Sequence, residues 1–114
     1  FCGRHVTLAI GTMSCPACRS AASQAQSIQN YYSSRGFQYI DILSQNTQGS
    51  APSEQNLRQW ESAAGMLTIP VLSDPYGSTW AFEWDMYIPT LVQIGPDMKV
   101  LSVDQGVHDP GSWL

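Results

Sequence analysis

Apolar and polar positions along this chain switch between two periods. "HVTLAI", His5 to Ile10, is short, apolar and β-branched, as a buried strand requires, and Gly11 and Thr12 end it. The period then lengthens. In "ACRSAASQAQSIQNYYSS" the residues Ala21, Ala22, Ala25, Ile28 and Tyr32 make a loose stripe at helical spacing. This predicts a helix from near Cys15 to about Ser34, stopped by Arg35-Gly36. Pro16 falls in its first turn, where a missing N–H costs nothing. "FQYIDIL", Phe37 to Leu43, is apolar on both alternating sets, which predicts a strand covered on both faces.

The second half repeats the alternation. "SQNTQGSAPS" reads as a loop, and Ser53 caps a helix from Glu54 to about Ala64 that Gly65 closes. "PVLSDPYG" is a short strand and a turn, and "STWAFEWDM" is a third, short helix. "TLVQIGPDMKVLSV" is the clearest unit, two apolar runs around Gly95-Pro96-Asp97 that predict an antiparallel hairpin. "DPGSWL" begins a final helix. The order β-α-β-α-β-α-β-β implies one α/β domain over residues 1–114, with a mixed central sheet flanked by helices in three layers.

Composition narrows the partners. Only 12% of the 114 residues are charged, Lys99 is the sole lysine, and the formal charge is −4. The lack of a basic cluster argues against nucleic acid or an anionic membrane surface as partner. No apolar run approaches the roughly 18 residues of a spanning helix. The first residue is Phe1 rather than Met, so a processed or trimmed piece is expected. A signal or membrane anchor would belong to the part before Phe1. The lysine-poor, Ser/Gln-rich surface points to an extracytoplasmic protein, periplasmic or secreted.

The candidate chemistry lies in "GTMSCPACRSAASQ", which places Cys15 and Cys18 at the mouth of the first helix. A thiol there sits against unpaired backbone N–H groups and the positive end of the helix dipole. Both favour the thiolate, which makes Cys15 the expected nucleophile. Cys18 lies one turn further in, on the same side and deeper. From there it can attack a mixed disulfide at Cys15 and release the partner, since both sulfurs are within bonding reach at the first turn. A CxxC after an apolar strand and at the head of a helix is a strong redox signal. "YIPT" supplies the second element. Ile88 is expected to set its backbone beside the CxxC, and a cis bond at Pro89 would leave that backbone free to pair with an extended substrate. Ile69-Pro70 competes for this role but lacks the hairpin that follows Pro89.

"GRHVTLAIGTMSCPAC" and "IPVLSDPYGSTWAFEWDMYIPTLVQIGPDMKVLSVDQG", with their spacing, resemble thioredoxin-like proteins. The closest look is the exported TlpA/ResA-like branch, which shades into the AhpC/TSA peroxiredoxins. The resemblance spans nearly the whole chain and implies a thioredoxin-like three-layer fold whose N-terminal strands would precede Phe1. It implies a thiol:disulfide oxidoreductase with Cys15 as nucleophile, Cys18 as resolving cysteine and Pro89 cis. Pro16 and Ala17 would tune the pair, and Thr12 would support it. Protein thiols and disulfides would be the substrates, with a redox partner protein and no cofactor. The chain departs from the pattern at Ser14, where the family has Trp. Ala9 and Ala21 stand where family members carry a buried Asp or a Glu. A proton acceptor for Cys18 therefore has to be water or a carboxylate elsewhere.

Other readings compete. A structural CxxC bridge closes a tiny loop and adds little stability. Cys2, His5, Cys15 and Cys18 would make a four-ligand zinc set, but His5 opens a buried strand and the helix after Cys18 is too long for a zinc ribbon. A peroxiredoxin-like peroxidase would use Thr12, three residues before Cys15, yet Leu8 stands where its proline belongs. Copper handling would need CxxxC and a distal His, for which His108 is a loose candidate. A thioredoxin-like module that binds metal or a partner without catalysis is the remaining class. His5 and His108 read as ordinary surface or strand-end residues. Cys2 reads as free, or paired with the missing segment or another chain. Trp60, Trp80, Tyr31 and Tyr32 read as packing, with Trp84 and Tyr87 bordering the site.

Overall fold

A computed structural model describes residues 3–74 and 88–105. The short helix expected over 78–86, the helix expected at "DPGSWL", and the candidates Cys2, Trp80, Trp84, Tyr87 and His108 lie outside the described residues. The elements are β1 (His5–Gly11), α1 (Pro16–Tyr32), β2 (Phe37–Leu43), α2 (Glu54–Ala64), β3 (Val71–Ser73), β4 (Thr90–Ile94) and β5 (Val100–Gln105). A single 3-10 turn, Ser33–Arg35, follows α1 and ends at Gly36, whose φ of 73° is the left-handed conformation glycine adopts without strain.

The sheet order is β3-β2-β1-β4-β5. β1, β2 and β3 run parallel, whereas β4 is antiparallel to both β1 and β5. This is the mixed sheet the element order implies, with the expected hairpin at its edge. β2 lies between β1 and β3 and is buried at every residue, as its doubly apolar pattern requires.

Side-chain alternation divides the core. On one face Ala9, Phe37, Tyr39, Leu43 and Leu91 pack with Cys18, Ala22, Ala25 and Tyr32 of α1 and Trp60 of α2. The other face buries Val6, Ile10, Ile40, Ile42 and Val92. Both described helices therefore cover the same face. α2 starts with a capping box: the Ser53 hydroxyl accepts from the Asn56 N–H, and the Asn56 side chain accepts from the Ser53 N–H.

α1 is less apolar than its alanine stripe suggests, because Gln26 and Gln29 are buried in it as well. The Gln29 Oε1 accepts from the Tyr39 N–H at 2.6 Å, and its Nε2 donates to the Phe37 carbonyl at 3.3 Å. Gln26 accepts from the N–H groups of Leu67 and Thr68 at 2.7 and 3.1 Å. These two amides satisfy backbone groups that packing alone would leave unpaired, so they fix α1 against β2 and against the loop before β3.

Candidate functional site

The site grows from the end of β1. Gly11 is the last residue of that strand, and a tight turn brings the chain to Cys15, whose N–H donates to the Thr12 carbonyl at 3.4 Å. Cys15 is the N-cap of α1, with extended φ and ψ of −81° and 117° and Pro16 immediately after it. Its Sγ accepts from the Cys18 N–H at 3.1 Å, in the way a serine or aspartate oxygen would cap a helix. The helix thus aims one of its unpaired donors at the sulfur. Cys15 is half-buried, while Pro16 and Ala17 beside it are exposed. The Cys15 sulfur is therefore part-exposed, beside an exposed first helical turn.

Cys18 is 4% exposed and packs beneath Cys15. A Cβ at Gly11 would stand 2.6 Å from its Sγ, so the thiol rests directly on the strand backbone and only glycine leaves it room. Burial pushes the Cys18 thiol far up, and its hydrogen bond to Cys15 and the charges of Cys15 and Asp41 add to this. A backbone hydrogen bond from Thr12 works the other way. Cys18 is thus held protonated while the Cys15 sulfur receives a helix donor. Both cysteines are free thiols.

The third component comes from β4. Its register pairs Ile10 with Thr90, so the residues before Thr90 run alongside the turn that leads into Cys15. The Cys15 thiol reaches the Ile88 carbonyl at 3.8 Å, and Ile88 packs against the main core. The Ile88–Pro89 peptide bond is cis. Ile69–Pro70 lies before β3 and is not cis. Thr12, Cys15 and Cys18, close together in the chain, therefore meet Ile88, 73 residues beyond Cys15, at one end of the sheet. Pro16 and Ala17 form the exposed first turn above them. Thr12 takes part through its backbone.

The rival ligand set does not assemble. His5 and Gly11 stand at opposite ends of β1, roughly 20 Å apart by strand rise. His5 is also no surface residue: it is 2% exposed, its Nε2 lies 2.8 Å from the Gln93 Oε1, and its ring stacks on Phe37. Among the described residues no three His, Cys, Asp or Glu side chains gather as metal ligands.

Two residues at the site were missed in the pattern of the chain. Gly11 read only as a strand end. Asp41 falls inside a run read as apolar on both faces, and it is buried there with its Oδ2 accepting from the Trp60 indole N–H at 2.6 Å. Burial pushes the Asp41 carboxyl up to about 6, against the lowering effect of the Trp60 and Ile42 hydrogen bonds. Burial and the charge of Asp41 push the Tyr39 phenol up in turn. A lone Asp amid β-branched neighbours was the available signal, and its meaning depended on which face it occupied.

No protein-family model and no curated protein sequence matches the chain. Solved structures do. A thiol:disulfide interchange protein of the thioredoxin family from Chlorobium tepidum TLS superposes with a TM-score of 0.75 at 22% identity, covering 98% of this chain and 76% of its own. The exposed lipoprotein thioredoxin of Streptococcus pneumoniae strain TIGR4 superposes with a TM-score of 0.76 at 19% identity, covering 99% and 82%. StoA from Bacillus subtilis superposes with a TM-score of 0.65 at 24% identity, covering 97% and 80%. At these identities the likeness is one of fold.

Proposed function

We propose that this chain, which has the thioredoxin-like fold, is a thiol–disulfide oxidoreductase that exchanges disulfides with protein substrates through Cys15 and Cys18. The observation that supports this best is the division of labour between the two sulfurs. Cys15 is half-exposed and caps the helix, whereas Cys18 is buried beneath it and bonded to it. The Cys15 thiolate attacks a substrate disulfide, and one substrate sulfur leaves as a thiolate. A mixed disulfide then joins Cys15 to the other substrate sulfur. Cys18 attacks the Cys15 sulfur, closes the Cys15–Cys18 disulfide and releases the second substrate thiol. The pair ends oxidised by two electrons and the substrate reduced. The reverse sequence oxidises a dithiol, and a redox partner protein resets the pair in either direction.

Ile88 and Pro89 serve as the docking edge. The Ile88 backbone lies next to Cys15, and an extended substrate segment pairs with it as an added strand would. Ile88 also supplies an apolar side chain beside the sulfur, which favours apolar substrate segments.

An extracytoplasmic setting fits this chemistry, because disulfides persist there. It also fits the pneumococcal neighbour, described as an exposed lipoprotein, and a secreted Mycobacterium tuberculosis disulfide oxidoreductase of the same fold.

The test is insulin reduction by dithiothreitol. The protein should accelerate it, and Cys15→Ser should bring the rate back to background. Stoichiometric zinc or copper in protein purified without added metal, with no acceleration, would replace this reading with a binding module. Peroxide consumption that survives Cys18→Ser would replace it with a peroxidase.

A further inference from the structure

We propose that Asp41, held by the indole of Trp60, is the proton acceptor for the thiol of Cys18. The inference rests on the Cys15–Cys18 exchange proposed above. The need for such a group follows from burial. Cys18 has to lose its proton as it attacks, yet it is 4% exposed and has no bulk water to take that proton. Among the described carboxylates Asp41 alone is buried.

Sheet register brings the two groups together. In the parallel pair of β1 and β2, Ala9 is opposite Asp41 and Gly11 is opposite Leu43. Side chains alternate, so Asp41 shares a face with Phe37, Tyr39 and Leu43, which pack in the cluster that contains Cys18. The Cys18 sulfur rests on Gly11 on that same face. Gly11 and Asp41 are therefore diagonal neighbours on adjacent strands, with backbones roughly 8 Å apart. Ala9 and Gly11, the residues of β1 on that face nearest the two groups, have little or no side chain to separate them. The charge of Asp41 is felt at the Cys18 thiol, as it is at Tyr39.

Among the described residues, the other groups packed around the carboxyl are uncharged. α2 presents Trp60, β3 pairs Val71 with Asp41, and β1 presents Ala9. Among the described residues, Tyr39 and Cys18 are the titratable groups that bear on Asp41. Trp60 donates to Oδ2 and the Ile42 N–H also bonds the carboxylate, so the group is fixed in place. Poised at about 6, it is ionised at neutral pH and still able to accept a proton.

The step balances. The Cys18 S–H bond breaks and its proton passes through one bridging water to an Asp41 oxygen. The Cys18 sulfur bonds to the Cys15 sulfur, and the bond from Cys15 to the substrate sulfur breaks. The substrate leaves as a thiolate and is protonated from solvent, while Asp41 returns its proton to solvent. In the reductive opening of the pair, Asp41 delivers a proton to Cys18 as it leaves.

The experiment uses the full chain carrying Cys2→Ser and an aromatic disulfide, 5,5′-dithiobis(2-nitrobenzoate), in stopped flow. The first nitrothiobenzoate released reports attack by Cys15, and the second reports attack by Cys18. Asp41→Asn should slow the second phase about tenfold or more and leave the first within twofold. A second readout runs in the opposite direction. With Cys15→Ser added, iodoacetamide labelling of Cys18 followed against pH should shift to lower pH in Asp41→Asn, because a repelling charge has gone. A damaged fold that exposes Cys18 would also ease its labelling, so circular dichroism of each variant is recorded alongside, and a wild-type spectrum assigns both changes to the carboxylate. Trp60→Phe keeps the carboxylate and removes its donor, so the pH midpoint of the second phase should rise. An unchanged second phase in Asp41→Asn overturns the proposal, as does an unmoved midpoint in Trp60→Phe. A wild-type protein with no second phase overturns the exchange reading itself, and the role of Asp41 with it.

Discussion

One face of the central sheet buries polar groups at both ends of β1, and the two ends are built differently. At the start of the strand, Gln93 Oε1 accepts from the Thr7 hydroxyl at 2.6 Å and lies 2.8 Å from His5 Nε2. Among the described residues, His5 Nδ1 and Gln93 Nε2 have no hydrogen-bond partner. At the end of the strand stand Cys18, Asp41 and Trp60, beneath the half-exposed Cys15. Both clusters bear a desolvation cost. The first contains neither thiol nor carboxylate and lies away from the head of α1. The second sets a thiol and a carboxyl beside unpaired helix donors, at the end of the sheet where the chain turns to the surface. Burial of polar groups alone does not mark a site. A buried group becomes useful when a second titratable group and an exposed nucleophile lie within its reach.

The sharpest way to test this contrast is Cys15→Ser. It should reduce exchange to background, while denaturant unfolding shifts by less than about 1 kcal/mol, because a half-exposed sulfur contributes little packing.

The carboxyl provides the next largest effect. Asp41 is held up to about 6 against an ordinary 3.8, so the folded chain binds this proton more tightly than the unfolded chain does. Its contribution to stability is fully present below about pH 4 and is lost as pH rises through 6, an effect on the order of 3 kcal/mol. Unfolding measured at pH 4.5 and 7.5 should show about 2 kcal/mol of this loss in the wild type and none of it in Asp41→Asn. Parallel profiles for the two proteins would show that burial does not hold the carboxyl up.

The other end of β1 should respond in stability alone. Gln93→Leu leaves the Thr7 hydroxyl and the His5 ring without their shared partner, at a cost of about 1–3 kcal/mol. The exchange rate of the folded fraction should be unchanged; a parallel fall in rate would mean that the two ends are coupled.

Gly11→Ala should have the smallest effect and the most local one. Its methyl group would meet the Cys18 sulfur at 2.6 Å and push it from its rotamer. Attack by Cys18 should slow severalfold, while alkylation of Cys15 keeps its wild-type rate.

Much of this was legible in the linear chain. The short apolar run of β1, the Pro16 start of α1, the doubly apolar β2, the Ser53 cap and the Gly95-Pro96-Asp97 hairpin are all local signals. Each depends on backbone preference or on side-chain period within a few residues, so the sequence alone determines them. The placement of Cys15 at a helix N-terminus belongs here too, because it follows from the residues immediately around it.

What only the tertiary structure decided is what faces what. Gln26 and Gln29 lie within a helix whose alanine stripe suggests an apolar face, and their burial depends on which backbone N–H and C=O groups β2 and the loop after α2 present to them. His5 reads as a strand-end residue and is instead sealed between Phe37 and Gln93, a partner 88 residues away. A search for a carboxylate near Cys18 along β1 and α1 finds Ala9 and Ala21. The carboxylate is on the next strand, opposite Ala9, and parallel register sets that pairing across 32 residues of chain. Register is a property of two strands and the core between them, because a slip of one residue would turn Asp41 to the other face and bury Ile40 or Ile42 in its place. No stretch of sequence around Cys18 contains that information.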